Sequence, residues 1–293
     1  LLAVVCIENL KEGVELMNAS EYGLTAGLQS LDEKEQAYWK FWMQAGNLYI
    51  NRGITGAIVN RQPFGGMKRS AFGGGIKAGG PNYVSCFVDV EELPVTNTTL
   101  TKRGADALVG LIDLLEFLRK RAEPKVRSRL YKAVNSYAVQ YDKVFSVEKD
   151  INNLMGERNT FRYLSVSQMV LRLFPHDTLE DALMVMLASA QVRTPMALSM
   201  QPGDPKYMDL RGFYGRDVAF KMESDEDFLA SMGSYDRIRT CSPDIPNAYY
   251  EKAAELGMYI ATAKPVVEGR LEMLHYLKEQ SISFEYHRYG SIT

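Results

Sequence analysis

Several things are scarce in this chain, and each scarcity removes a class of function. Its apolar runs, such as LLAVVCI at residues 1–7 and ALVGLI at 107–112, fall far short of the roughly 20 residues that a membrane-spanning helix needs. Basic residues show no excess: 34 Lys and Arg stand against 36 Asp and Glu, for a net charge of −2, which argues against nucleic acid as the main partner. There are three cysteines, Cys6, Cys86 and Cys241, widely spaced and without a CxxC pair. That pattern predicts a reducing, cytoplasmic setting and speaks against a zinc site. No basic leader precedes the first apolar run, so no signal peptide is expected. Beyond residue 100 no GxGxxG lies between a strand-like and a helix-like segment.

What the chain has is an apolar fraction of 46% over 293 residues, enough for a full core and about two domains, and an unusual concentration of glycine. The stretch GNLYINRGITGAIVNRQPFGGMKRSAFGGGIKAGGPNYV, residues 46–84, holds Gly53, Gly56, Gly65, Gly66, Gly73, Gly74, Gly75, Gly79 and Gly80. Glycine costs conformational entropy wherever it is ordered, so such a run predicts backbone in unusual dihedrals or pressed close to a ligand. A flexible linker is the plain alternative.

Around this stretch the pattern reads as alternating strand and helix. LLAVVCI reads as a buried strand, followed by a helix through Leu10, Val14 and Met17. Leu24–Leu28 reads as a short strand, residues 32–45 as a helix ending at Gly46, and Leu48–Ile50 as a strand. Tyr83, Ser85, Phe87 and Asp89 alternate with Val84, Cys86, Val88 and Val90, a period of two that predicts a long strand with one apolar face. It is expected to seek a partner between subunits or domains.

The composition shifts at LPVTNTT, residues 93–99, which reads as a linker. Two helices are expected next, one through Leu100, Leu108, Leu111, Leu115 and Leu118, the other through Leu130, Val134, Tyr137 and Tyr141. Then MVLRLF, 178–191, PMALSM, VAFKME, 225–233, RIRTC, 246–256, MYIAT and 268–280 alternate as strand and helix. Helix starts are marked by Asp177 three residues before Glu180, by Ser224, and by Pro246 with Gly257 closing. Alternation of this kind predicts a parallel, helix-covered, Rossmann-like sheet. The turns where a pyrophosphate would sit read PHDT and SDED, and acidic turns repel it.

Residues 46–84 resemble the C-terminal part of aldehyde dehydrogenases, where PFGG, a basic residue, Ser and Gly recur. RGITGAIVNRQPFGG resembles more narrowly the branch that oxidises L-glutamate γ-semialdehyde in proline catabolism, found alone or as the second half of bifunctional proline-utilisation proteins. Residues 1–92 match throughout, and GRLEMLHYLKEQSISFEYHRYG resembles the end of long bifunctional versions that carry an extra, degenerate aldehyde-dehydrogenase-like domain. The expected fold is therefore α/β: a partial aldehyde dehydrogenase catalytic domain with an oligomerisation-flap strand over 1–92, a linker and helical connector over 93–150, and a degenerate Rossmann-like domain over 151–293.

The resemblance implies an NAD-dependent oxidation through a cysteine thiolate, a thiohemiacetal and a thioester hydrolysed by glutamate-activated water. None of the three cysteines suits the nucleophile, and each is expected to be a small buried hydrophobe. No catalytic or cofactor-binding residue is thus expected in this chain. The nucleophile and the NAD site would lie upstream, together with a proline dehydrogenase domain in the bifunctional versions, in a homo-oligomer. By the same resemblance Gly56 and Ala57 would bind the substrate's α-carboxylate, which their small size and consecutive backbone N–H groups allow. Phe64 would pack on the methylene chain and wall off water. The residues alone leave open that Thr55–Ala57 is a tight turn and Phe64 a core residue. Arg61 and Lys68 read as solvated charges, and His176, His275 and His287 as polar surface. The other reading of the chain is a noncatalytic assembly or lid module docking on a catalytic domain, with HRYG at 287–290 as a docking element.

Overall fold

The structure, a computed structural model, describes residues 2–71, 73–215 and 218–286. Helix α1 (Leu10–Asn18) starts where the Asn9 side chain accepts from the Glu12 N–H at 3.0 Å, meeting one of the donors a helix start leaves orphaned. Strands β1 (Tyr22–Gly23) and β2 (Thr25–Leu28) lead to α2 (Glu33–Trp42), capped by Asp32. Then come β3 (Asn47–Ile50) and β4 (Met67–Lys68), the latter paired antiparallel with β1. Three helices follow: α3 (Lys102–Ala107), α4 (Ile112–Lys120) and α5 (Pro124–Gln140), the last opening on a proline that needs no N–H partner there. Next are β5 (Lys149–Asp150), β6 (Glu157–Ser165) and β7 (Met169–Leu173). The chain continues through α6 (Leu179–Gln191), β8 (Met196–Met200), α7 (Lys206–Tyr214), β9 (Phe220–Met222), α8 (Asp225–Ser231), β10 (Arg237–Arg239), α9 (Asn247–Leu256), β11 (Tyr259–Ala261), α10 (Gly269–Glu272) and β12 (Leu277–Glu285).

These elements divide into two compact units that interleave along the chain. The first takes residues 1–88, 148–164 and 278–293, the second 89–147 and 165–277. The first unit holds a five-stranded sheet in the order β2-β3-β12-β6-β5, with β3 parallel to both β2 and β12. Leu48 faces Ala26 on one side and Ile282 on the other, so strands far apart in sequence share one layer. Beneath it Val14, Trp39, Met43, Leu48, Ile50 and Ile282 form the core. The second unit holds a parallel sheet in the order β11-β10-β7-β8-β9. Read from β9, that is the doubly wound order, reversing between β7 and β10. Central β7 is buried along its whole length, Arg172 included.

Several expectations are corrected. Residues 2–7 form no strand, and Leu2 and Val4 are 90% and 82% exposed, since no described strand lies beside them to take their hydrogen bonds. The segment expected as a flap strand, 83–90, begins as a 3₁₀ helix over Tyr83–Phe87. Ser85 Oγ donates to the Asn82 carbonyl at 2.6 Å, and the rings of Tyr83 and Phe87 meet edge to face at 5.3 Å, contacts that wind the segment instead of extending it. The leucine stripe from Leu100 is broken into α3 and α4 by Gly110 at φ +95°. Thr178, not Asp177, caps α6.

The helix expected over 268–280 stops with a 3₁₀ turn at Met273–Tyr276, and the rest is β12. The first compact unit ends its opening segment at 88, and Glu92 packs with the second, held by Arg129 of α5 at 2.6 Å and by the Val267 N–H at 2.8 Å. The expected domain at 151–293 loses 151–164 and 278–293 to the first unit, where β6 and β12 supply partners for a sheet that β3 would otherwise end. Helix α7 was not anticipated. The HRYG tail lies outside the described residues.

Candidate functional site

The glycine-rich segment is ordered by contacts on its flanks and open at its tip. At the end of β3, Asn51 adopts φ +57° and its amide clamps Ser30, accepting from the Ser30 N–H and donating to its carbonyl, both at 2.9 Å. Arg52 lies over the Tyr49 ring, 5.5 Å from its centroid, and 3.4 Å from the Glu285 carboxylate. The Tyr49 hydroxyl donates to the Gly56 carbonyl at 3.4 Å, and burial raises its pKa against the pull of Arg52. Gly56 sits at φ +82° and is exposed, with nothing within 4 Å of where a Cβ would stand. Ala57 beside it is exposed too. Neither N–H makes a hydrogen bond among the described residues.

Phe64 stands on a different support. It is half-buried and exchanges both backbone hydrogen bonds with Ala78 at 3.0 Å. The same support steadies the stretch before it, since the Asn60 N–H donates to the Gly79 carbonyl at 3.1 Å. Behind Phe64 the glycines answer a packing need: a Cβ on Gly46 would lie 2.0 Å from the Gly65 carbonyl oxygen, and one on Gly66 2.3 Å from that of Ser70. The structure thus places Gly56 and Ala57 together in an exposed loop, and Phe64 on its bridge to Ala78.

Arg61 and Lys68 are not solvated charges. Arg61 pairs through both its Nε and a terminal nitrogen with Glu157 of β6. Lys68 Nζ donates to the Asn18 and Ser20 carbonyls at 2.6 and 2.9 Å. Both hold the segment in place. Of the cysteines, Cys241 is buried, as expected, while Cys6 and Cys86 are exposed, which corrects the expectation for them. Burial and the Glu279 charge push the Cys86 thiol up, away from a reactive thiolate.

One functional-looking group escaped the sequence reading. Lys77 is fully buried in the middle of the segment. Its backbone N–H donates to Glu279 Oε2 at 2.7 Å and its Nζ donates to the Gly65 carbonyl. Burial pulls its pKa down to about 7 despite Glu279.

The second unit offers the place where a doubly wound sheet takes its ligand, the crevice outside the strand C-termini at the order reversal. Near that edge, polar side chains are committed to one another. Arg172 Nη2 meets Asp225 at 2.6 Å, and its other nitrogens donate to Ser199 Oγ at 2.8 Å and to the Tyr249 hydroxyl at 3.0 Å. The Phe228 ring lies 5.0 Å from its guanidinium carbon. The N-terminus of α6 is capped by Thr178, with Asp181 bonded back to it at 2.8 Å, and that of α8 by Ser224 with Asp227 at 2.7 Å. These residues do not fit a dinucleotide: no glycine turn opens α6 or α8, and the N-terminal ends of both already face a carboxylate.

Behind the sheet, Arg239 and Glu272, both fully buried, pair at 3.0 Å, and Tyr276 donates to Glu272 at 2.6 Å. His275 is half-buried, with its pKa pulled down to about 4 by burial and the positive charge of Arg239, so it belongs to the wall of this cluster and not to open surface. Among the described residues no group of three or more His, Cys, Asp or Glu could hold a metal ion, and no helix is long and apolar enough to cross a membrane.

Comparison with known proteins adds the following. Residues 1–93 match the aldehyde dehydrogenase family. The bifunctional protein PutA of Rhizobium meliloti is 32% identical over 154 residues, which is 53% of this chain and 12% of that protein. The 1-pyrroline-5-carboxylate dehydrogenase 2 of Bacillus subtilis is 38% identical over 93 residues, 32% of this chain and 18% of the relative. Among solved structures, proline utilization A (PutA) from Corynebacterium freiburgense aligns with a TM-score of 0.70 at 31% identity, covering 98% of this chain and 25% of that one. The chain therefore spans about a quarter or less of the PutA proteins it resembles.

Proposed function

We propose, from the premise that residues 1–93 belong to the aldehyde dehydrogenase family, that this chain is part of an NAD-dependent dehydrogenase oxidising L-glutamate γ-semialdehyde to L-glutamate in proline catabolism. The observation that carries this reading is the open turn at Gly56 and Ala57. Neither of the two consecutive backbone N–H groups there makes a hydrogen bond among the described residues, both residues are exposed, and the place a Cβ would take on Gly56 is open. The substrate pairs an aldehyde with an α-amino acid head, and a carboxylate entering that space would accept from both N–H groups, a contact that a bulkier loop would forbid. Phe64, half-buried on the Ala78 support, is proposed to pack on the methylene chain and to keep water from the aldehyde carbon. NAD supplies the hydride acceptor in this chemistry. Its binding is assigned to the rest of the enzyme, and the isolated chain is expected to be inactive.

The second unit is proposed as a noncatalytic module, and one observation favours that: Arg172, Asp225, Ser199 and Tyr249 are committed to one another near the edge on which ligand binding in such a sheet depends. A cytoplasmic homo-oligomer is the setting in which the enzyme is expected to work. The test is substrate preference. The enzyme containing this chain should reduce NAD with glutamate γ-semialdehyde at a kcat/KM at least about tenfold above that with pentanal, which lacks the carboxylate, since a charge-assisted contact contributes about 1.5–3 kcal/mol. Equal or reversed preference would overturn the reading.

A further inference from the structure

Lys77 lies within the glycine-rich segment, yet no part of the proposed reaction uses it. It is fully buried, and its contacts converge on the backbone behind Phe64. Its Nζ donates to the carbonyl of Gly65, the residue after Phe64. The residue after Lys77, Ala78, exchanges both backbone hydrogen bonds with Phe64. A Cβ on Gly65 would stand 3.3 Å from Lys77 Cγ, so the lysine stem packs directly against the turn.

The other side of the lysine is fixed by Glu279 of β12, 202 residues away in sequence, whose carboxylate accepts from the Lys77 N–H at 2.7 Å and from Asn82 Nδ2 at 2.5 Å. Asn82 also donates to the Tyr163 hydroxyl of β6 at 2.8 Å. Strand β12 is tied to β3 over Ser281–Phe284, so the carboxylate stands on a sheet interior and not on a loop. The ammonium itself is held by the Gly65 carbonyl, and the Glu279 charge favours its protonated form against the desolvation cost.

We infer that Lys77 and Glu279 are positioning residues: the pair sets where the Phe64 ring sits, through the Gly65 carbonyl on one side and the Ala78 bridge on the other. This deepens the proposed function, on which its relevance to substrate rests. The β12 sheet thereby reaches the substrate wall by way of one buried lysine. A protonated Nζ holds the Gly65 carbonyl through a charge-assisted hydrogen bond; a neutral one holds it more weakly. The titratable groups around the pair are Glu279 itself, Cys86 of the 3₁₀ turn and Tyr163 of β6.

The test places 4-fluorophenylalanine at position 64 alone and follows its fluorine resonance in the 293-residue chain. With wild-type Lys77 the resonance should titrate with a midpoint near the pKa of about 7. Lys77→Met should move the resonance at neutral pH and abolish that titration. Glu279→Gln should carry the midpoint to lower pH, because the carboxylate charge favours the protonated lysine. A purely structural lysine would alter melting and leave no such midpoint to shift. In the enzyme containing this chain, Lys77→Met should raise KM for the semialdehyde about fivefold with kcat within about twofold. A resonance that moves while KM stays constant would uphold the positioning and remove Phe64 as a substrate wall. A wild-type resonance flat from about pH 6 to pH 9 would overturn the proposal even if Lys77→Met failed to fold, since that range spans the expected titration.

Discussion

The turn at residues 53–57 and the strand ends of the second sheet are both places where their folds could receive a ligand, and they are finished in opposite ways. At the turn the backbone is exposed, Gly56 has open space above it, and order comes from the flanks through Asn51, Tyr49 and Arg61. At the second sheet the strand order of a nucleotide-binding fold persists, but Arg172 near the end of the central strand is tied to Ser199 and Asp225. The difference teaches that sheet topology and ligand capacity are set by separate residues. Apolar strand interiors such as Val170, Leu171 and Leu198 preserve the first; a few polar side chains at the strand ends decide the second.

If the second sheet is held from within by its own charges, removing one should do the most damage. Arg239→Met strands the fully buried Glu272, and loss of one partner from such a pair costs about 3–5 kcal/mol. Chemical denaturation followed by far-ultraviolet circular dichroism should show the second unit unfolding at much lower denaturant. An unchanged midpoint would mean that the charges there are dispensable. In the first unit the strongest effect should come from glycines that pack, not from the one that is open. Gly46→Ala drives a Cβ to 2.0 Å from the Gly65 oxygen, and overpacking against backbone of this kind costs about 3 kcal/mol. Gly56→Ala meets only the strain of φ +82°, about 1 kcal/mol. Thermal melts of the two variants should rank in that order, and a reversal would contradict the distinction between flank and tip.

A subtler contrast lies in pH. The folded pKa of Lys77 is lowered from 10.5 to about 7, so between those values the folded chain holds fewer protons than the unfolded chain. Stability of the first unit should therefore rise as pH rises from about 7 toward 10, and Lys77→Met should flatten the slope. The smallest expected signal is none: calorimetric titration of the chain with NAD should give no saturable heat, and micromolar binding would reopen the second crevice.

Much of this fold was legible in sequence. The strands MVLRLF and PMALSM, the cap at Ser224 and the Pro246–Gly257 helix follow from apolar runs and end signals that act locally. The failures share a physical cause. The start of β12, residues 277–280, reads as the end of a helix because the strand lacks an alternating pattern: Glu279, Gln280, Ser281 and Ser283 are all buried, kept there by partners such as Lys77, Ala45, Pro63 and Asn159. Residues 83–90 alternate as a strand would, yet Asn82 and the Tyr83–Phe87 ring pair wind them. At the site, glycine advertised the open turn, since few other residues accept φ +82° without strain. Lys77 gave no such signal. A lysine among glycines reads as solvated, and the carboxylate that explains it arrives from 202 positions away.

The most direct trial of the open turn as a carboxylate anchor is the variant Ala57→Val in the enzyme containing this chain, compared on two aldehydes of equal length. The added branches should obstruct the approach to the Gly56 and Ala57 N–H groups. KM for glutamate γ-semialdehyde should then rise about tenfold or more, and KM for pentanal should change by less than about twofold, as loss of a charge-assisted hydrogen bond predicts. A proportional loss on both aldehydes would show damage to the fold at large and contradict the anchor.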